Sequence, residues 1–370
     1  APSAIGPGLP ALYADYAHLP EAELLSRLVL TMPMLSIALS GPLVGYAVDR
    51  LGRRRVLITS IACFGVVGMS GLVLQSLVAI IVSRALLGVF LAGILTSITA
   101  LLGDYYDGEE RRRMAGLQAT FMSFGTVVFV VLGGLLAEIH WRLGFLIFAY
   151  VFLVLPGIVL SCYEPRQSRP PGSAAQTAAS FSRGSLPIIL ALYLLAFVCM
   201  IGLFMIPSQT QFFLREIGIP DPTLAGIAVG IFNLSAGIAS FAFAWLHRRI
   251  GSNAVFAVMF TVVGLGYVLV GRSDTYAGIA AAMAFGGLSM GVFLPNLNLA
   301  VLSRVSESVR GRALSGITTA LYLGQFLSPF YSVPIGIAFG IGFAFEVTGY
   351  WLFAIGALFA GLAIARLGRR

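Results

Sequence analysis

Charge is what this sequence has least of. Only 10% of its 370 residues are charged, whereas a soluble domain carries about a quarter. Lysine is absent, so all 23 basic residues are arginine. Cysteine and histidine are equally sparse, at three each. Cys63, Cys162 and Cys199 lie in or beside uncharged runs without metal or redox spacing and read as small core residues. His18, His140 and His247 are boundary or loop residues with no metal-like arrangement. There is no phosphate-binding G-x-x-x-x-G-K-[ST] loop, which excludes an ATP-driven pump on this chain. The absence of H-E-x-x-H and of a G-x-S-x-G elbow argues against an enzyme. No cofactor or metal is expected. The chain opens without a start Met or a charged leader region, so no signal peptide is read.

What fills the space is long uncharged sequence. Leu28–Val48, Val56–Ser83, Ala85–Gly103, Met114–Ala137 and Leu143–Tyr163 contain no Asp, Glu, Lys or Arg. After a polar gap the same holds for Gly184–Leu214, Thr223–Leu246, Ser252–Gly271, Thr275–Ser303 and Ala313–Phe345. About 20 apolar residues cross the hydrocarbon core as a helix. Breaking the runs at Gly, Pro and charge predicts eleven spans, near 28–48, 56–76, 78–103, 113–137, 143–162, 186–212, 223–246, 252–271, 276–302, 313–334 and 342–365. Ala1–Tyr16 is apolar but too short to cross. It reads as the outer end of a first helix whose beginning is absent, for twelve spans in the intact protein.

In a soluble chain a pI near 9.7 would suggest nucleic acid; here the basic excess reads as topology. Arginines gather in alternate loops and at the C-terminus: Arg50, Arg53, Arg54, Arg55, three at 111–113, Arg166, Arg169, Arg183, Arg248, Arg249, Arg304, Arg310, Arg312, Arg366, Arg369 and Arg370. The opposite loops hold only Arg27, Arg142, Arg215 and Arg272, and Arg84 lies within a span. The positive-inside rule puts the Arg-rich loops and the C-terminus in the cytoplasm.

The segment 164–185 is rich in Pro, Ser, Ala and Gln and reads as a flexible linker. It divides the chain into six-helix halves at 1–163 (first helix incomplete) and 186–370. The halves echo each other at an offset of 199–200 residues. Arg50-Leu51-Gly52 matches Arg249-Ile250-Gly251, Arg112-x-x-x-Gly116 matches Arg312-x-x-x-Gly316, and Gly88 falls opposite Gly287. Such parallel repeats describe two bundles with a substrate site between them.

The loop Gly45-Tyr46-Ala47-Val48-Asp49-Arg50-Leu51-Gly52-Arg53-Arg54-Arg55 closely resembles the G-x-x-x-D-[RK]-x-G-[RK]-[RK] loop of the major facilitator superfamily. Alone it would read as a short basic loop obeying the charge rule. The resemblance implies the all-α major facilitator fold, with two pseudo-symmetric six-helix bundles. In this reading Gly45 lets helices approach, and Gly52 permits a tight turn. Asp49 caps the next helix, or pairs with Arg53 or with a basic residue of the other half, latching the cytoplasmic face. Arg50 belongs to the same gating loop. Asp104, in Gly103-Asp104-Tyr105-Tyr106, resembles the acid that partners this loop in related proteins; otherwise it is an ordinary interfacial acid.

Span five narrows the resemblance. Gly116, Gly125, Phe129-Val130 and Gly133-Gly134 reproduce the spacing G-x8-G-x3-G-P-x2-G-G of the drug:proton antiporter branch, with Phe-Val in place of Gly-Pro. That replacement removes the bend expected there. Trp141-Arg142-x-x-Phe145 follows, as in that branch. The structural alternative is that small residues merely let helices pack, as Gly88 also would. Ser83-Arg84-Ala85-Leu86-Leu87-Gly88 resembles the family's R-x-x-x-G motif, where the arginine serves proton coupling or substrate charge. Otherwise Arg84 snorkels to water.

Polar and aromatic residues within spans are candidate cavity groups: Thr96, Gln209, Gln211, Asn233, Asn296, Asn298, Tyr322 and Gln325, with Phe121, Phe204 and Phe293 as apolar surface. Each could instead bond a neighbouring helix. Asp15 and Glu346 are the candidate proton carriers, because a carboxylate sheltered from water exchanges protons at working pH.

Together these features lead to the expectation of a monomeric secondary transporter in a bacterial inner membrane. It would export a small amphipathic molecule in exchange for protons, with the lipid bilayer as its surroundings and no nucleic-acid partner. Two alternatives stay open: a transporter of one defined metabolite whose charge meets Arg84, and a receptor or scaffold that moves nothing.

Overall fold

The computed structural model describes residues 2–164, 186–306 and 309–367. The expected linker, apart from Glu164, lies outside the described residues, as do Arg166, Arg169, Arg183, Arg369 and Arg370.

Every element among the described residues is helical. A 3-10 segment, Pro2–Gly8, leads into α1 (Leu9–Asp15), followed by α2 (Ala22–Leu51), α3 (Arg53–Met69), α4 (Leu77–Tyr105) and α5 (Gly108–Ile139). A short 3-10 turn, Ser70–Leu72, follows α3, and a longer 3-10 stretch, Trp141–Ala149, continues into α6 (Tyr150–Ser161). The second half holds α7 (Leu186–Leu203), α8 (Met205–Glu216), α9 (Pro222–Gly271), α10 (Tyr276–Met290), α11 (Phe293–Leu302), α12 (Arg310–Phe339) and α13 (Ile341–Leu367). Each of the eleven expected spans coincides with a helix or a consecutive helix pair. Among the described residues nine helices are long and apolar enough to cross a membrane. One of these, α9, is two spans merged through non-helical Gly251. Helix α12 is not among the nine; Thr318, Thr319, Gln325, Ser328 and Ser332 interrupt its apolar run.

Helix α2 starts six residues before the expected span. Glu23 and Arg27 look like a boundary in the sequence, but they form an i,i+4 pair at 3.1 Å that the helix absorbs.

The repeat is visible in backbone geometry. Gly52 (φ 94°, ψ 147°) ends α2, and Gly251 (φ 75°, ψ 169°) breaks α9; both occupy a region open to glycine. A methyl group on Gly88 would strike the Pro33 carbonyl and come within 2.7 Å of the Ser36 Cβ. One on Gly287 would strike the Phe232 carbonyl and come within 3.0 Å of the Ser235 Cβ. Pro33 and Phe232, and Ser36 and Ser235, are again 199 residues apart. The α4–α2 crossing is thus rebuilt as the α10–α9 crossing. The third match is not shared: a methyl group on Gly316 would strike the Tyr193 ring, while one on Gly116 would meet nothing within 4 Å.

Candidate functional site: two ends of the seam between halves

At the Arg-rich end, the α2–α3 loop is fastened to its own half. The Glu164 carboxylate accepts hydrogen bonds from the Arg53 and Arg54 amides at 2.8 and 2.9 Å. It therefore caps α3 and favours that helix's positive end. Arg54 donates to the Cys162 and Val159 carbonyls at 2.7 and 2.8 Å. Arg53 forms an ion pair with Asp104, and Tyr105 donates to the Tyr163 carbonyl. A methyl group on Gly52 would sit 3.0–3.1 Å from the Glu164 carboxyl group.

The expected local partners of Asp49 are therefore taken. The cap belongs to Glu164 and the Arg53 pair to Asp104. Asp49 is exposed on the last turn of α2 and makes no ion pair among the described residues. Arg50 stays on its own helix, donating to the Tyr46 hydroxyl at 3.0 Å. Glu164 escaped sequence reading because it opens the polar linker. Its one signal is that an acid immediately follows span six.

At the Arg-poor end the two halves touch along two lines. On the first, buried Arg27 of α2 donates from Nε to Gln209 Oε1 of α8 at 2.9 Å, and Gln209 Nε2 donates to Ser332 of α12 at 2.6 Å. The Phe212 ring lies 3.8 Å from the guanidinium carbon. On the second, α5 meets the start of α9 backbone to backbone. A methyl group on Gly134 would be 2.7 Å from the Pro222 carbonyl, and one on Gly226 would be 2.8 Å from the Val130 carbonyl. Thr223 donates to Glu138 at 2.8 Å, and Arg215 reaches the Pro10 carbonyl at 3.1 Å. Gly133 is closed over by the Ala4 carbonyl.

The Arg-rich portions of the same four helices contrast with this. A methyl group on Gly45 of α2, Gly116 of α5, Gly237 of α9 or Gly311 of α12 would meet nothing within 4 Å. Gly125 has only Phe129 of its own helix, at 3.9 Å. In this conformation Gly45, Gly116 and Gly125 therefore do not mediate the close packing expected of them, because the helix faces that carry them stand clear of neighbours. The halves meet at the Arg-poor end and part toward the Arg-rich end.

Candidate cavity residues divide accordingly. Phe204 and Tyr322, with Phe326, pack against a first-half cluster that includes Met34, Ile37 and Ala92, making an aromatic and aliphatic junction between halves. Gln325 lies half-buried in α12, beside the Met200 sulfur. Gln209 belongs to the Arg27 bridge. Gln211 bonds the Pro207 and Ser208 carbonyls and lines an Arg-poor-side pocket of about 310 Å³ with Pro10, Arg215 and Asp221. Asn233 is half-buried and bonds its own helix at Val229. Thr96 and Asn298 are half-buried, and Phe121 is exposed.

Two assignments need correction. Phe293 is wholly buried against Phe260, within the second half. Buried Asn296 bonds the Ser252 hydroxyl and carbonyl, both at 3.0 Å, and ties α11 to α9. Both serve the core of one half rather than the junction.

Arg84, 1% exposed, lies between α3 and the Trp141–Ala149 stretch. It donates to the Val67 and Gly68 carbonyls at 2.8 and 2.9 Å. Phe145 and Phe148 lie 4.9 and 5.3 Å from its guanidinium carbon. Gly68 and Gly71 leave room for those rings. Arg84 therefore does not snorkel to water. Its charge sits inside one half, with Nη1 lacking a partner among the described residues.

The two carboxylates expected to be sheltered differ in exposure. Asp15 is exposed and accepts from Trp141 Nε1 at 2.6 Å. Glu346 is half-buried beside exposed Arg272, at 3.1 Å. That hydrogen bond raises the Arg272 pKa above its ordinary value. Among the described residues, carboxylates occupy loops and helix ends, with none at mid-span.

Comparison with known proteins agrees with this architecture. The sequence profile of the Major Facilitator Superfamily matches residues 2–329. The multi-drug resistance efflux pump PmrA of Streptococcus pneumoniae is 23% identical over 327 residues, covering 87% of this chain and 82% of that protein. The class C tetracycline resistance protein of Escherichia coli is 27% identical over 337 residues, covering 85% and 80%. Among solved structures, a D-xylose-proton symporter superposes with a TM-score of 0.78 at 14% identity, covering 97% of this chain and 93% of the other. A bacterial homolog of the human lysosomal transporter Spinster, in an inward-facing and occupied conformation, superposes with a TM-score of 0.75 at 16% identity, covering 98% and 94%.

Proposed function

Because the chain belongs to the Major Facilitator Superfamily and is an integral membrane transporter rather than an enzyme, we propose that it exports small amphipathic molecules from the cytoplasm by alternating access. The Arg-rich end is cytoplasmic in this reading, so the described conformation is the one that loads from inside. One observation carries the proposal. The halves are closed by Arg27 and the α5–α9 glycines at one end, while Gly45, Gly116, Gly237 and Gly311 stand free at the other. A single access at a time is what alternating transport requires.

The ligand class follows from the junction. Phe204, Tyr322, Phe326, Met34 and Ile37 offer aromatic and flexible apolar surface without a charge among them. Such a surface takes apolar bodies with little demand on shape. Relatives described as multi-drug efflux and tetracycline resistance proteins support the same class.

Exchange for protons rests on the glycine frame of α5. Purified protein in liposomes, loaded with a fluorescent amphipathic dye and given an imposed pH gradient, tests both parts. Dye movement accelerated by the gradient is expected. Movement indifferent to the gradient removes proton exchange, and no movement of any dye removes export.

Asp49 is the group reserved for the other state. It is unpaired among the described residues here, and its expected work is to hold the cytoplasmic ends together once the molecule faces outward. Asp49→Asn should insert normally and slow dye efflux by about tenfold, the lower range for a lost charged contact. Wild-type efflux rates in that variant would reduce the loop to a topology signal.

A further inference from the structure

The 199-residue offset that superposes the α4–α2 and α10–α9 crossings also places Arg27 opposite Gly226. Both residues lie where the halves meet at the Arg-poor end. Gly226 works by having no side chain, so that α9 rests on the Val130 carbonyl. Arg27 works in the opposite manner. Its side chain is 1% exposed, and its nitrogens reach Gln209 Oε1, the Glu23 carbonyl and the Glu23 carboxylate at 2.9, 2.9 and 3.1 Å. Two of those partners are on its own helix; Gln209, 182 residues away, is across the seam. Gln209 is itself buried and spends its amide on Ser332. A guanidinium so placed was desolvated for a reason, since a charge taken from water is costly unless every donor finds an acceptor.

We propose that Arg27 is the latch of the outer gate. Through Gln209 it binds α2 to α8 and α12, and so holds the transporter in the state that opens to the cytoplasm. Its role is positional: it touches the opposite half rather than the ligand. When the halves part, Gln209 and Ser332 leave with the second half, while Glu23 stays with Arg27 and keeps its charge paired as water enters. The latch can therefore open repeatedly without stranding a bare cation. Glu23 is the retained counter-charge and Gln209 the releasable partner. The cycle is thus held by unlike devices at its two ends, and Arg27 has no counterpart in the second half.

This inference rests on the alternating-access reading, and its test needs no transported ligand. Hydrogen–deuterium exchange of the full chain in lipid nanodiscs, read by mass spectrometry, compares the Arg-poor segments 22–31 and 205–216 with the Arg-rich segments 45–55 and 108–125. Arg27→Met should raise exchange across 22–31 and 205–216 by about tenfold, as loss of a buried charged hydrogen bond shifts the two-state balance. Exchange at the Arg-rich segments should fall. Gln209→Leu should reproduce this pattern, and the double variant should add little, because both remove one bond. Glu23→Gln, which leaves the crossing bond intact, should have a much smaller effect, whereas Arg27→Lys, which removes the Nε–H that reaches Gln209, should respond like Arg27→Met.

Unchanged exchange in Arg27→Met, or an equal rise at both ends, overturns the latch. So does an inert Gln209→Leu. If Asp49→Asn still moves the Arg-rich segments in that case, alternating access stands without this latch. If neither variant moves either end, the underlying transport reading falls with it.

Discussion

Gly134→Val should leave a protein that inserts and folds but passes dye at about one-tenth of the normal rate or less. The reason is what the new side chain would meet. Its Cβ would lie 2.7 Å from the Pro222 carbonyl and 3.0 Å from the Thr223 Cα. Both are backbone atoms in the first turn of α9, so no rotamer change can relieve the contact. The helices must separate, and overpacking of this kind costs about 1–3 kcal/mol, enough to shift a two-state balance by about tenfold or more. Only the conformation with the Arg-poor ends closed pays this cost. Spin-label distances between the outer ends of α5 and α9 should therefore lengthen together with the loss of efflux. Gly116→Val is the matched control. A side chain there would meet nothing within 4 Å of its Cβ, so the short distances at the Arg-poor end should persist. Short distances in Gly134→Val, with normal efflux, would show that the seam tolerates a side chain and that its glycines are incidental.

Gly88→Val should act on folding rather than on the balance of states. Gly88 lies within one half, where α4 crosses α2 against the Pro33 carbonyl and 2.7 Å from the Pro33 Cα. In the proposed alternating access that crossing moves as one body, so neither end state escapes the clash. A loss of about 3 kcal/mol is expected, the upper range for overpacking against a backbone that cannot yield. Gly287→Val should cost a similar amount, because the Phe232 carbonyl and Ser235 stand at the equivalent places. Thermal unfolding in detergent measures both. A marked drop in one variant and none in the other would deny that the halves share this crossing.

The spans and the weak repeat were legible in the sequence because charge is excluded from hydrocarbon and marks most boundaries, with glycine marking those inside the uncharged runs 56–83 and 313–345. Which face each helix turns to its neighbours was not. A spanning helix is apolar toward lipid and toward protein alike, so the alternation that reveals a buried face in soluble helices is missing. That is why Phe293 and Asn296 looked like junction residues while belonging to the second-half core. Arg27 was missed for another reason. With Glu23 four residues earlier it resembles a membrane-boundary arginine, and its deciding partner is 182 positions away. Glu164 was likewise masked by the polar segment it begins, although it caps a helix more than a hundred residues upstream.

The pocket of about 310 Å³ at the Arg-poor end has walls from both halves: Pro7, Pro10 and Ala14 on one side, Gln211, Arg215 and Pro222 on the other. Its shape exists only while those walls face each other. By linkage, any molecule that needs both walls adds its whole binding free energy to the state closed at the Arg-poor end and none to the open one. The recess is in effect a keyhole for a brake. Because its walls belong to both halves, it favours compounds rigid enough to hold those walls together.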